Sequence, residues 1–242
     1  MRAGHVLILL VATVLLAACA QPQARSLEVP TPPIATLPPE PSPTPTTQPS
    51  IGTGAVNMYQ DPVGSLRFLF EVKNRNDYPV ERVRATIFLR DGDDREIAAQ
   101  SAYARMDLLK PGESAPVLMV FFLASPEFAS YDIELEAHRA DYLQELLHPS
   151  LEVVDLSGRV GQWVPYEVVG RVVNSGDSDA ESVAVIAGCF DSQGRMAAIV
   201  SGKPEQRFIP AGESSEFLLS VGSLAGSIVD CRVYAEGLVA NH

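Results

Sequence analysis

Apolar and polar side chains alternate along most of the chain after residue 50, which is the pattern of strands with one buried face and one wet face. The segment Leu66–Lys73 places apolar residues at its even positions and charged residues at three of its odd positions. Val83–Leu89 and Val183–Cys189 repeat the alternation, and the turn signals Asp91-Gly92 and Asp191–Gly194 follow them. Many short strands with turns at this spacing predict an all-β chain built as a β-sandwich.

The pattern occurs twice, at a constant offset of 100 residues. The matched positions are Asn74 and Asn174, Val83 and Val183, Asp91 and Asp191, and Gly112–Ser114 and Gly212–Ser214. This period is too long for a solenoid repeat and fits tandem domains. We therefore predict two tandem β-sandwiches, residues 51–139 and 151–242, joined by a connector at residues 140–150.

The N-terminus has the order of a secretory signal. One positive charge, Arg2, precedes the apolar run Val6–Leu16, and two small residues, Ala17 and Ala18, follow it. The run is shorter than the roughly 20 residues that a membrane-spanning helix needs. We expect residues 1–18 to be a cleaved signal peptide; the alternative is a short membrane anchor that is never cut.

The four residues Leu16-Ala17-Ala18-Cys19 resemble the lipobox of bacterial lipoproteins. The resemblance implies that Cys19 is acylated and becomes the first residue of the mature chain, exported and held on the extracytoplasmic face of a bacterial membrane. Two or more acyl chains suffice for stable anchoring. The alternative is an ordinary signal peptide followed by a cysteine.

Proline dominates the segment after Cys19. Residues 21–50 hold ten of the 19 prolines, and proline fixes φ and lacks the backbone donor that helices and sheets require. We predict that residues 19–50 form a disordered, extended, proline-rich tether that spans roughly 90 Å. The Ser and Thr residues among the prolines are also typical of a glycosylated stalk.

The second half resembles the bacterial FxLYD domain in Tyr166–Asn174, Phe190-Asp191 and Ile209–Gly212. Phe68–Asn74 and Phe88–Asp91 are similar to the same pattern in the first half. The resemblance implies that both sandwiches are immunoglobulin-like modules of an exported protein, a family usually without a known activity. The first half departs from the pattern by having Phe where the second half has Gly170.

The chain is acidic, with a formal net charge of −12 shared equally between its two halves. An acidic chain is poorly suited to phosphate backbones, which argues against a nucleic-acid partner. Acidity also prevents electrostatic adhesion to anionic lipid. The membrane contact is therefore expected to come from the acylated Cys19.

The residue pattern offers no catalytic constellation, metal site or cofactor site. The histidines lack metal-ligand spacing, and there is no serine elbow or phosphate-binding loop. Asp91–Asp94 is interpreted as an acidic hairpin tip rather than a calcium loop. His148, before Pro149, is expected to be a solvated linker residue, and Asn74 and Asn174 are expected to be structural.

These observations favour a non-enzymatic lipoprotein that presents tandem domains for protein interaction or envelope organisation. Its partner would be an unknown envelope protein. The alternative is a glycan or another small ligand, for which Trp163 and Tyr166 near a strand start are the aromatic hint. An enzyme with an unrecognised site is a further, less favoured alternative.

One strand is expected to carry an interaction surface because it is apolar at both odd and even positions. Its residues are Val117, Leu118, Met119, Val120, Phe121 and Phe122. We predict that the outer face of this run meets the other domain, a partner, or the connector, where Ala140–Leu147 could form a short amphipathic helical turn.

Cys189 and Cys231 are the two cysteines that remain after Cys19 is acylated. Both share the parity of core-facing neighbours, and the extracytoplasmic compartment permits disulfides. We predict a disulfide between them; the alternative is two buried free thiols. Whether such a bond joins neighbouring strands or opposite sheets stays open at this stage.

Overall fold

The computed structural model describes residues 48–122, 128–222 and 225–240. The predicted signal peptide, Cys19 and nearly all of the tether lie outside them. The first half contains the strands β1 (Ile51–Thr53), β2 (Asn57–Gln60), β3 (Leu66–Asn74), β4 (Val80–Arg90), β5 (Glu96–Tyr103), β6 (Leu108–Leu109), β7 (Ser114–Phe121) and β8 (Ser130–Arg139). After a single helical turn, α1 (Leu143–Leu146), the second half contains β9 (Leu151–Arg159), β10 (Tyr166–Asn174), β11 (Ala180–Phe190), β12 (Met196–Gly202), β13 (Ser214–Val221) and β14 (Asp230–Val239). No helix in these described ranges has the length and apolar character needed to cross a membrane.

The first sandwich consists of two antiparallel sheets. In sheet A, β3 lies between β7 and the short strands β1 and β2; in sheet B, β4 lies between β8 and the pair β5 and β6. The core between the sheets is built from the inward parity of the central strands. Its fully buried members include Phe68, Phe70, Val72, Ile87, Leu89 and Val117.

The second sandwich repeats this arrangement with fewer strands. Sheet C has the order β12-β11-β14, and sheet D has the order β13-β10-β9. Its separate core includes Val168, Val172, Val185, Ala187, Phe217 and Leu219. The predicted all-β fold built from β-sandwiches is therefore confirmed.

Irregular backbone recurs at the 100-residue offset as well. The pairing of β4 with β8 shifts register after Glu81, and the pairing of β11 with β14 shifts after Glu181. In both bulges a residue other than glycine has positive φ, 52° at Arg82 and 55° at Ser182. The repeat is thus structural in detail and not only a shared alternation.

Asn74 and Asn174 hold the ends of equivalent strands through the same hydrogen bonds. Asn74 Nδ2 donates to the carbonyl oxygens of Tyr78 at 2.8 Å and Leu109 at 3.0 Å. Asn174 Nδ2 donates to the matching carbonyl oxygens of Ser178 and Ile209 at 2.8 and 2.9 Å. Both asparagines are fully buried, and these bonds satisfy both hydrogens of each side-chain amide.

One difference between the two patterns is a size exchange between paired strands. In sheet A, Phe70 lies opposite Val117; in sheet D, Gly170 lies opposite Phe217. A Cβ atom placed on Gly170 would lie 2.8 Å from Cζ of Phe217. The large side chain therefore lies on β3 in the first sandwich and on β13 in the second, where Gly170 leaves the space that Phe217 fills.

The connector is ordered against the second sandwich. Leu147 forms an isolated bridge with Leu238, and His148 is buried, which corrects the expectation of a solvated linker histidine. The Ser150 amide donates to Nδ1 of His148 at 3.3 Å, so Nε2 carries the proton donated to the Ser178 carbonyl at 2.8 Å. His148 therefore closes a turn at the base of the second sandwich.

Candidate functional site at the contact between the sandwiches

The two sandwiches pack against each other through the outer faces of sheet A and sheet C. Leu69 of β3, Phe190 of β11 and Met196 of β12 form a buried apolar cluster between the sheets. Partly buried side chains surround them: Tyr59, Leu118, Ile199 and Ala225. The sheets are consequently stacked in the order B, A, C, D, and sheets A and C are covered on both faces.

The apolar run on β7 divides between the first core and this contact. Val117, Met119 and Phe121 are buried in the core of the first sandwich. Leu118 packs on the buried cluster that joins the sandwiches. Val120 is half-buried, whereas the Phe122 side chain is largely exposed.

Charged groups lie beside the apolar cluster. Nη1 of Arg232 on β14 lies 2.7 Å from Oε2 of Glu71 on β3, and the Tyr234 hydroxyl donates to Oε1 of Glu71 at 3.4 Å. Burial, with the negative charge of Glu71 adding to it, raises the pKa of Tyr234 to about 12. The guanidinium of Arg232 also stacks over the Phe190 ring at 4.5 Å. The polar contacts of Glu71 thus lie next to the apolar cluster and extend the contact between the sandwiches.

Glu236 is a partly buried acid at the same contact. Its carboxylate accepts hydrogen bonds from the Asp107 amide, at 3.0 and 3.1 Å, and from the Leu108 amide at 3.0 Å. Burial raises the pKa of Glu236 to about 7, and the nearby charges of Asp107 and Glu113 act in the same direction, although the two amide bonds oppose the shift. The alternation of β14 did not predict that Glu236 accepts these hydrogen bonds, because its position is one that the pattern assigns to a solvated outer face.

A cavity of 160 Å³ lies next to Glu236. Its polar lining comes from both sandwiches: Lys110, Glu113, His148, Tyr234 and Glu236. Its volume is small, and Nζ of Lys110 already donates to the Pro149 carbonyl at 3.1 Å. We therefore interpret the cavity as a gap in the packing between the two sandwiches and not as a ligand site.

The contact holds the two sandwiches so that β3 and β10 begin at the same end of the pair. We call the end of each sandwich where β3 and β10 begin the far end, and the end where they finish, at Asn74 and Asn174, the near end. Toward the far ends, Asn57 Nδ2 donates to the Met196 carbonyl at 2.9 Å; toward the near ends lie the bonds of Glu236 and Lys110. The chain enters at the near end, where the Ser50 carbonyl accepts from the Arg75 amide.

Cys189 and Cys231 are joined by a disulfide in sheet C. The two residues lie directly opposite each other on β11 and β14, with Cα atoms 4.0 Å apart. The bond therefore links neighbouring strands rather than opposite sheets. At the equivalent positions of the first sandwich, Leu89 faces Tyr131, so an apolar pair takes the place of the bond.

The remaining residues singled out from the sequence have local roles or stand alone. Tyr166 packs against the second core, whereas Trp163, in the β9–β10 turn, is 88% exposed. Oδ1 of Asp91 accepts from the amides of Asp93 and Arg95, which accounts for an acid at that turn. Within residues 48–122, 128–222 and 225–240, no three His, Cys, Asp or Glu side chains are grouped as a metal site would require.

Comparisons with known proteins leave the chain without an assigned family. No family model matches it, and no curated protein matches it. A solved structure of red sea bream transglutaminase is similar over 79% of this chain at 10% identity, with a TM-score of 0.26. This chain spans only 29% of that structure's length, and a similarity of this size carries no argument about activity.

Proposed function

We propose that the protein is an exported, lipid-anchored, non-enzymatic lipoprotein that presents its paired sandwiches to another protein of the cell envelope. The observation that carries the presenting role is the contact between sheets A and C. It buries Leu69, Phe190 and Met196 and holds both far ends in one direction. Loops at the end of a rigid sandwich are a common place for recognition residues.

The anchoring half of the proposal rests on the sequence before residue 48. The lipobox-like residues Leu16–Cys19 follow an apolar run, and the proline-rich tether separates Cys19 from the first strand. An extended tether of this length spans roughly 90 Å. An anchored sandwich pair could then engage partners well away from the membrane surface.

Metabolic labelling with a fatty acid tests the anchor. The wild-type chain is expected to incorporate the label and to sediment with membranes, whereas Cys19→Ser is expected to remain unlabelled and either to be released or to stay unprocessed. Cys231→Ser is the matched control, because it also removes one cysteine but leaves the lipobox intact. Equal labelling of wild type and Cys19→Ser would contradict the proposal.

Capture from the envelope tests the presenting role. The acylated protein is retrieved from its own membranes, and the proteins that co-purify are identified by mass spectrometry. A protein retained by wild type and lost from Leu69→Asp, which places a charge in the contact between the sandwiches, would support presentation by the intact pair. Retention of envelope polysaccharide without any protein would favour the glycan alternative.

A further inference from the structure

The most exposed apolar side chains gather at one end of the molecule. In the described part of the chain, seven large apolar or aromatic side chains are at least 60% exposed. Five of them lie at the far end: Val63, Phe122, Val160, Trp163 and Val229. The other two, Tyr103 and Tyr142, carry a hydroxyl group and lie toward the near end. Scattered apolar residues on a surface are ordinary, but a concentration at one end is not.

These five residues lie on four separate connections. Val63 is in the β2–β3 turn, and Phe122 follows β7, whose last residue lies opposite the first residue of β3. Val160 and Trp163 are in the β9–β10 turn, and Val229 directly precedes β14. Because the contact between sheets A and C holds both sandwiches in the same direction, these five residues lie at the same end of the pair.

The apolar connections are almost free of charge in an otherwise acidic protein. Residues 62–65, 160–165 and 225–229 contain no Asp, Glu, Lys or Arg, and the connection that begins at Phe122 contains one acid, Glu127. One acid beside them, Asp61, has its carboxylate bound by the Arg67 side chain and by backbone amides. The exposed acids at this end are Asp93 and Asp94 of the β4–β5 turn, which pair with Arg95 and Arg90, and Asp230, which directly follows Val229. This distribution suits a neutral apolar medium and disfavours an anionic one.

The shape of the far end favours lipid over a protein groove as the occupant. Side chains this exposed on separate loops protrude individually, and a protein partner would need a matched pocket for each. The lipid–water interface is fluid and can accept several separate apolar side chains together. Trp in particular prefers that interface.

We propose that the far end inserts Val63, Phe122, Val160, Trp163 and Val229 into the lipid–water interface of a membrane whose surface is electrically neutral. The proposal goes beyond the presenting role and does not require Cys19 to be acylated. If Cys19 is anchored as proposed above, the tether can reach roughly 90 Å. That is well beyond the length of the sandwich, whose 11-residue strands span about 36 Å. The far end and the anchor can therefore occupy the same membrane.

Trp163 provides a direct test because it is the only tryptophan of the chain. The experiment uses the chain from residue 20 onward, which lacks the signal segment and Cys19 but keeps the tether and every residue of both cores. Addition of phosphatidylcholine vesicles is expected to shift the Trp163 emission to shorter wavelength. Replacing part of the lipid with phosphatidylglycerol is expected to weaken binding, because the chain has a formal net charge of −12.

A combined variant identifies the inserting side chains. Serine at Val63, Phe122, Val160 and Trp163 is expected to lower vesicle binding, measured by co-sedimentation, by about tenfold or more. Tyr142→Ser is the matched control, because Tyr142 is 67% exposed but lies in the connector; it should bind as wild type does. Thermal unfolding of each variant checks that the fold is retained, which is expected because these side chains are exposed.

Three results would overturn the proposal. The first is an unchanged Trp163 emission and no co-sedimentation at any lipid concentration. The second is a shifted emission without vesicles accompanied by a doubled mass in light scattering, which would assign the far end to a second copy of the chain. The third is an envelope protein captured through the far end while vesicles are not bound. None of these results affects fatty-acid labelling of Cys19, so the anchor proposal is tested separately.

Discussion

Glu71 of the first sandwich and Arg232 of the second form an ion pair across the contact between them, with Oε2 and Nη1 2.7 Å apart. The Glu71 side chain is largely buried, whereas that of Arg232 is about half exposed. A buried carboxylate that binds both Arg232 and Tyr234 ties the two sandwiches at a defined register. A substitution at Glu71 in the first sandwich should therefore affect how the second sandwich packs against it.

Removal of the Glu71 carboxylate should weaken the contact. Glu71→Ala leaves Tyr234 and Arg232 without their acceptor, so we expect the free energy of unfolding to fall by about 1–2 kcal/mol. Chemical denaturation in urea measures the change. Glu134→Ala, an exposed acid on β8, is the control and should change the free energy by less than about 0.5 kcal/mol. Equal effects for the two variants would contradict the role of Glu71.

Glu236 should make stability depend on pH. Its pKa is raised to about 7 in the folded protein from an ordinary value of 4.5, so the folded state binds the proton more tightly than the unfolded state does. The stabilisation is fully present below pH 4.5 and is lost as the pH rises toward 7. We therefore expect wild type to be less stable at pH 8 than at pH 5, by an amount on the order of 2 kcal/mol from this group.

Glu236→Gln isolates that dependence. Glutamine keeps an oxygen for the Asp107 and Leu108 amides but does not titrate, so the variant should lose the Glu236 share of the change between pH 5 and pH 8. The other groups around the cavity, Lys110, Glu113 and His148, are unaltered in both proteins. An identical pH dependence in wild type and variant, measured by urea unfolding at both pH values, would refute the assignment.

The disulfide of sheet C should stabilise the second sandwich. It closes a loop with a sequence separation of 42, for which the chain-entropy model gives about 4 kcal/mol as an upper figure. Cys189→Ala combined with Cys231→Ala should lower the free energy of unfolding by about 2–4 kcal/mol. Thiol titration of the unfolded, unreduced wild type should detect no free thiol in the chain from residue 20 onward; two thiols would exclude the bond.

The exchange of size between Gly170 and Phe217 gives a double-mutant test. Gly170→Ala places a methyl group 2.8 Å from Cζ of Phe217, and we expect it to lower stability by about 1–3 kcal/mol. Phe217→Leu opens space at the same point. The double variant should therefore be more stable than the sum of the two single changes allows. Strict additivity would show that the two side chains do not compete for one volume.

The alternation of apolar residues predicted the inner faces of the sandwiches well, because burial of one strand face leaves a period of two. Phe68, Phe70 and Val72 lie in the first core as the pattern indicates. The offset of 100 likewise predicted the equivalence of Asn74 and Asn174, since each needs the same backbone acceptors at the same distance along the chain.

The pairing of outer faces could not be predicted in the same way. Two runs are apolar at both parities, Val117–Phe122 and Ala184–Phe190, and both contribute to the contact between the sandwiches. The sequence therefore signals that these strands are covered. It does not signal that one covers the other, because the match depends on the shape and direction of whole sheets. Glu236 was missed for the same reason: its acceptor role exists only when Asp107 arrives from the other sandwich.

The stacking order of the sheets limits how the molecule can associate. At the 100-residue offset, sheet C is the equivalent of sheet B, and sheet D is the equivalent of sheet A. The first sandwich uses sheet A in the contact, whereas the second uses sheet C, so the two sandwiches use non-equivalent faces. A contact of this kind is heterologous and could in principle add further copies without closing. The two faces left over carry ion pairs instead of an apolar cluster, Arg84 with Glu136 and Arg90 with Asp132 on sheet B, and Arg171 with Asp155 on sheet D. We expect these two faces to act as polar caps that disfavour growth of the stack into a filament.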